Sequence, residues 1–295
     1  MQKFSTLLLA AIVAVAASYI TVTKFALRSE TAPAAAEAKK ETTYERVMRT
    51  KELHCGYLIY PPNFMIDVNS KKMSGIFYDA VEAMGKELNL KIVWQEEGAY
   101  DNLIEGLNTG RIDAICSGLW ENPAKAAVVD FSDYFFFNEL AVYAREGDTR
   151  FDNNLAALND PKITFAVIEG AIADQIAKTE YPQAKRNALP PLSDFPQLLM
   201  EVASNKADVT ISATQEILVY DQNNQSKLHK VATEKPFRLY PNVIFVRKGE
   251  HDLMATLNTA LHQINHTGRL ESILASYEKQ PGTLVRIAKE YDTKP

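Results

Sequence analysis

From residue 53 onward, short apolar runs alternate with stretches whose apolar residues recur every three or four positions. The run 53–59 reads as a strand and is broken by Pro61-Pro62. Ile76, Phe77, Ala80, Val81 and Met84 then fall on one face of a helix. A strand over 91–95 and a short helix carrying Leu103, Ile104 and Leu107 follow, the helix stopping at Gly110. A third strand covers 112–117. This order predicts a largely parallel sheet covered on both faces, an α/β arrangement.

The second half repeats the pattern, with strands over 163–168, 186–189 and 209–212. Helices over 170–179 and around Phe195, Leu198, Leu199 and Val202 lie between them. Gly110-Arg111-Ile112-Asp113-Ala114 has a counterpart in Asn205-Lys206-Ala207-Asp208-Val209, a weak internal repeat that predicts two lobes of related architecture. The stretches 139–145 and 243–247 are suited to crossing between lobes, which makes the first lobe discontinuous. The predicted divisions are 45–138 for the first part of lobe 1, 139–241 for lobe 2, and 242–295 for the completion of lobe 1. Ligands of such sheets bind outside the carboxyl ends of the strands. The loops after Ile59, Ser117, Ile168 and Ile211 should therefore line the cleft.

The N-terminus changes the setting. Lys3 precedes an uncharged stretch from Phe4 to Thr23, with Ala14-Val15-Ala16 as a possible cleavage site. Residues 1–23 read as a signal peptide, or as an anchor about long enough to span a bilayer if uncut. Either way the rest lies outside the cytoplasm, in the periplasm, and meets the membrane only through this segment. Residues 24–44, rich in Ala, Glu, Lys and Thr, read as a tether. Export opens the way to a disulfide between the two cysteines, Cys55 and Cys116. Both fall in predicted buried strands, where cysteine also serves as a small hydrophobe, and bridging requires those strands to be neighbours. The charge is mild, −5 overall with 23% charged residues of mixed sign, and gives no basic face for nucleic acid.

The chain resembles the family 3 solute-binding proteins that feed amino-acid-type ABC importers. The resemblance rests on Tyr60-Pro61-Pro62-Asn63-Phe64, Gly75-Ile76-Phe77-Tyr78-Asp79, Gly110 to Ala114 before Ser117-Gly118, Asp130-Phe131-Ser132, Glu169-Gly170 and Lys206-Ala207-Asp208. It implies the two-lobed periplasmic-binding-protein fold (type II-like), with lobes joined by two crossing strands. It also implies a small-molecule solute, an ABC transporter permease as partner, and a monomer without cofactor or metal. In the family, an arginine five residues before the Asp-Phe-Ser motif clamps the ligand carboxylate; here that position is Lys125, which keeps the charge but loses the planar fork. The acid that takes the ligand ammonium falls at Ala213. The hydroxyl residue after the second-lobe glycine is replaced by Ala171, and Leu119-Trp120-Glu121 stands where another hydroxyl is usual. Each departure removes a polar partner of an α-amino acid. The expected solute is therefore small and polar, aromatic or anionic, either amino-acid-like or a carboxylate.

The expected ligand-binding set is Tyr60, Phe64, Ser117, Gly118, Trp120, Lys125, Gly170 and Ala171. Each has a plainer reading. Tyr60 and Phe64 either wall the cleft or pack their loop on the sheet, and Trp120 either faces ligand or caps the core. Lys125 is either a clamp or a solvated lysine. Ser117 and Gly118 offer hydroxyl and backbone groups. Gly170 either opens a helix whose N–H groups meet an anion or simply lets the turn form. His262 and His266, four apart, point away from the face set by Leu253, Leu257, Leu261 and Ile264, with no third ligand evident. Asp79, Asp113 and Asp130 occupy motif positions that read as structural. No nucleophile elbow or phosphate loop is present. Capture and delivery is the leading function, with no catalysis. The alternatives are a cyclohexadienyl dehydratase-like enzyme on the same scaffold, although the cleft lacks a convincing acid–base pair, and a membrane-tethered sensor.

Overall fold

The computed structural model describes residues 41–287 except residues 192 and 226. The chain divides into two units, Met1–Thr42 and Thr43–Pro295, and every element named here lies in the second. The expected signal or anchor segment lies outside the described residues. Among the described residues no helix is long and apolar enough to cross a membrane.

The tether expected to run to residue 44 gives way earlier. Helix α1 starts at Thr43 (Thr43–Thr50) because Val47 is fully buried in the first core. Next come β1 (Glu52–Tyr57), the small hairpin β2 (Met65–Ile66) and β3 (Met73–Ser74), α2 (Ile76–Glu87) and β4 (Lys91–Glu97). Then α3 (Tyr100–Thr109), β5 (Ala114–Trp120), β6 (Val129–Phe131) and the long strand β7 (Phe136–Arg145) follow. The second half contributes β8 (Thr164–Ile168), α4 (Ile172–Glu180), β9 (Lys185–Leu189), α5 (Phe195–Ala203) and β10 (Val209–Ala213). It ends with α6 (Thr214–Asn223) and β11 (Leu228–Lys230). The chain returns through β12 (Arg238–Arg247) to α7 (His251–His266), α8 (Arg269–Tyr277) and β13 (Leu284–Val285).

Strand order is β4-β1-β5-β12-β7-β10-β8-β9. The two ends, β4-β1-β5 and β10-β8-β9, are parallel, as the alternating pattern predicts. The centre is antiparallel. One end of β12 pairs β7 from Arg238 opposite Leu140 to Asn242 opposite Phe136, and its other end pairs β5 and β6. The far end of β7 pairs β10. These two strands carry the chain from one half of the sheet to the other and back.

The apolar cores divide at the same place. Two clusters are built from residues 47–136 and 243–284, among them Phe77, Phe136, Ile244 and Leu257. Two others are built from residues 140–237, among them Phe165, Leu199 and Val209. Hence there are two lobes, the first of which needs residues 243–284 to finish its core.

Cys55 and Cys116 form a disulfide with Cα atoms 5.6 Å apart. The strands are neighbours, and Cys55 sits opposite Ala114; Cys116, two residues further along β5, shares its face. The bridge closes a loop with a sequence separation of 61. In the chain-entropy account a loop of that length contributes about 4 kcal/mol. Replacing both cysteines by alanine should lower unfolding stability by up to that amount. Denaturant unfolding of the double variant with no fall in midpoint is the contrary result.

Candidate functional site

The carboxyl ends of β1 and β5 are joined through Ser117, Gly118 and Asn63. Gly118 has φ +72°, and a Cβ there would sit 2.0 Å from the Phe77 ring, so only glycine lets β5 run this close to α2. Its carbonyl accepts a hydrogen bond from Asn63 Nδ2 at 3.1 Å. Ser117 is fully buried, and its hydroxyl accepts from the Leu58 N–H at 3.2 Å, tying β5 to the exit of β1. Ser117 and Gly118 thus tie the end of β5 to the exit of β1 and to the loop carrying Asn63.

Trp120 closes β5. Its ring lies 6.5 Å from that of Tyr60, edge to face, and 5.7 Å from Tyr240 on β12. The three half-buried rings form an aromatic wall where the lobes meet. Across from them lies Glu216, in the first turn of α6. The Tyr60 hydroxyl donates to one Glu216 carboxylate oxygen. The other oxygen accepts from the Ser212 hydroxyl at 2.7 Å and from the Ala213 N–H at 3.2 Å. Glu216 is buried, and burial pushes its carboxyl up to about 8, with the Ala213 N–H opposing the shift. No cation reaches it among the described hydrogen bonds and ion pairs. Burial, not the hydroxyl and N–H donors around it, is what favours the protonated form of this carboxyl.

The structure brings Tyr60 together with Trp120, two residues past Gly118, and joins Tyr60 to a residue the sequence reading missed. Glu216 stands three positions past Ala213, where the family acid was sought. Its signal was faint: the acid follows a strand end by one helical turn, the spacing at which an N3 side chain folds back on its cap.

Other expected residues lie elsewhere. Phe64 is 0% exposed, its ring stacked on Tyr57 at 4.6 Å and packed against Trp94 and Tyr78 inside lobe 1, where it anchors the proline loop. Lys125 places its ammonium 3.0 Å from Asp101 and over the Tyr100 ring. Gly170 and Ala171 are exposed at the start of α4. The Gly170 N–H is taken by Asp174 Oδ2 at 3.0 Å, and the buried Asp174 is itself held by Lys178 and Arg186. The motif aspartates brace the scaffold: Asp79 accepts from the Tyr277 hydroxyl, Asp113 from the His54 N–H, and Asp130 from Lys248 and the Gly249 N–H. His262 pairs with Asp133 at 2.9 Å on an exposed helix face.

A sequence profile of the bacterial extracellular solute-binding proteins, family 3, matches residues 53–280. A probable histidine-binding protein of Neisseria gonorrhoeae is 24% identical over 211 residues, covering 71% of this chain and 76% of its own. An L-arginine-binding protein of Pseudomonas aeruginosa is 24% identical over 235 residues, 74% of this chain and 84% of its own. Among solved structures, the ancestral amino acid-binding protein AncCDT-1, a precursor of cyclohexadienyl dehydratase, superposes with a TM-score of 0.68 at 24% identity. It covers 81% of this chain and 100% of its own.

The Glu216 carboxyl rises from 4.5 in the unfolded chain to about 8 in the fold, so the folded state holds the proton more tightly. That contribution to stability is complete below 4.5 and is lost as pH rises through about 8. Glu216→Gln should therefore gain stability relative to the wild type as pH rises across this window. Parallel midpoint-against-pH curves for the two proteins would show that Glu216 does not titrate there.

Proposed function

The chain belongs to the bacterial extracellular solute-binding proteins, family 3, and on that premise we propose that it captures an amino acid between its lobes and delivers it to an ABC transporter. The observation that carries this reading is Glu216. The sequence alone argued against an α-amino acid because Ala213 offers no partner to the ammonium. Glu216 supplies that partner from the next helical turn, and a desolvated carboxyl with no cation is best satisfied by one. Tyr60, Trp120 and Tyr240 supply the wall for the rest of the solute. The names of the histidine- and arginine-binding relatives support the same class.

Capture works by differential affinity. A ligand touching Tyr60 and Trp120 on one lobe and Glu216 on the other stabilises the closed arrangement over an open one. We take residues 139–241 as the moving lobe and β7 and β12 as the segments that flex. The disulfide suits a site of action in the periplasm, where the permease of an importer is reached from outside.

A second reading is favoured by the same residue. A buried acid that keeps its proton near neutrality beside a tyrosine hydroxyl is the acid–base pair the sequence lacked, and the scaffold's likeness to a dehydratase precursor fits it. Turnover of prephenate or arogenate that disappears in Glu216→Gln would establish this reading over capture.

Binding of an ammonium at Glu216 must expel the carboxyl proton. Calorimetry near pH 7, repeated in buffers of different ionisation enthalpy, should show close to one proton released when an amino acid binds. Glu216→Gln should abolish the release and weaken binding at least about 30-fold, from the roughly 2–5 kcal/mol attached to a buried charge partner. An amino acid that binds both proteins equally, without proton release, would sink the assignment of Glu216.

A further inference from the structure

Three asparagines, each at most 5% exposed, meet where the cleft loops join the crossing strands: Asn63, Asn138 and Asn242. Asn63 leaves the proline loop beside Tyr60. Asn138 lies on β7 and Asn242 on β12. Their hydrogen bonds run in one continuous path. Asn63 Nδ2 donates to the Gly118 carbonyl and to Asn242 Oδ1, both at 3.1 Å. Asn242 Nδ2 donates to Asn138 Oδ1 at 2.7 Å. The same Asn138 oxygen accepts the Trp120 indole N–H at 3.1 Å. The path fixes the orientation of all three amides, because each donor meets an acceptor only in this sense.

We propose that Asn138 is a positioning residue: it holds the Trp120 indole in the cleft wall and, through Asn242 and Asn63, ties that ring to both crossing strands and to the loop that carries Tyr60. The relevance to ligand rests on the reading of function above; the orientation itself does not.

Several features support this assignment. An amide oxygen has two lone pairs, and here both are used, one by the indole and one by Asn242. Asn242 also stands opposite Trp120 in the β12–β5 pairing, and Asn138 opposite Tyr240 in the β12–β7 pairing. The ring that packs on Trp120 is therefore set by the same pair of strands. An apolar residue at 138 would serve strand packing equally well; what it cannot do is accept from the Trp120 indole and from the fully buried Asn242 amide.

The second tryptophan provides an internal control, since the Trp94 indole donates to Glu82 at 2.9 Å, outside this network. Indole N–H exchange with solvent, measured by NMR on the ligand-free protein, reads both rings separately once Trp94→Phe assigns them. Asn138→Leu should speed exchange at Trp120 tenfold or more and leave Trp94 unchanged, while Asn138→Asp, which keeps the acceptor, should preserve protection. Unchanged exchange at Trp120 in Asn138→Leu would overturn the proposal. Should the Trp94 signal report that the leucine variant fails to fold, Asn138→Ala removes the acceptor without added bulk and carries the same expectation.

A double-mutant cycle with L-arginine as probe then tests the consequence for binding. Asn138→Ala should weaken binding tenfold or more in the wild type and by less than twofold in a Trp120→Phe background. Equal losses in both backgrounds would mark Asn138 as merely structural. Failure of the wild type to bind L-arginine would count against the reading of function, and the indole exchange would still decide the position of Trp120.

Discussion

The antiparallel pairing of β7 with β12 is the constraint on which the rest of the molecule depends. Five register pairs, from Arg238 with Leu140 to Asn242 with Phe136, join the two parallel ends of the sheet, whose apolar cores are separate clusters. Each strand is buried in one lobe at one end and in the other lobe at the other. Phe136 and Val243 belong to the first lobe; Val142 belongs to the second, and Tyr240 packs against it. Where the strands change allegiance their buried side chains turn polar, and the Asn242 amide donates to the Asn138 side-chain carbonyl there. A polar pair at this point replaces apolar packing that would resist shear between the lobes with directional bonds that specify one register.

The ends of the architecture were legible in the sequence. Val, Ile, Leu and Phe runs separated by amphipathic stretches gave the parallel strands and the helices over them, and the repeated Asp113 and Asp208 junctions pointed to two related lobes. Both aspartates accept backbone N–H groups from the neighbouring strand, His54 for one and Thr164 for the other, which explains their equivalent positions. Short elements escaped notice. The β6, β11 and β13 strands are two or three residues long, too brief for periodicity to register, and they form only by adding to edges already made by β7 and β12.

The site was less legible because its chemistry depends on reach rather than position. Position 213 holds alanine, yet the carboxylate of Glu216 folds back to the Ser212 hydroxyl and the Ala213 N–H and meets the Tyr60 hydroxyl with its other oxygen. Phe64, in contrast, belongs to an aromatic motif beside the cleft but turns inward, because the adjoining Tyr57, Tyr78 and Trp94 give its ring more complete burial than the cleft does. Sequence spacing fixes where a side chain begins. Which way it turns is decided by partners contributed from distant segments.

The discontinuity of the first lobe also imposes an order of assembly on a chain delivered N-terminus first. Residues 140–237 are contiguous, so the second lobe has its complete core as soon as that stretch is delivered. The first lobe waits for Ile244, Leu257 and Leu274, which arrive last. Throughout that wait β1 and β5 are within reach of each other, and the Cys55–Cys116 link can be oxidised before their core is finished. The covalent bond thus secures, during maturation, the half of the protein whose apolar contacts are the slowest to be completed.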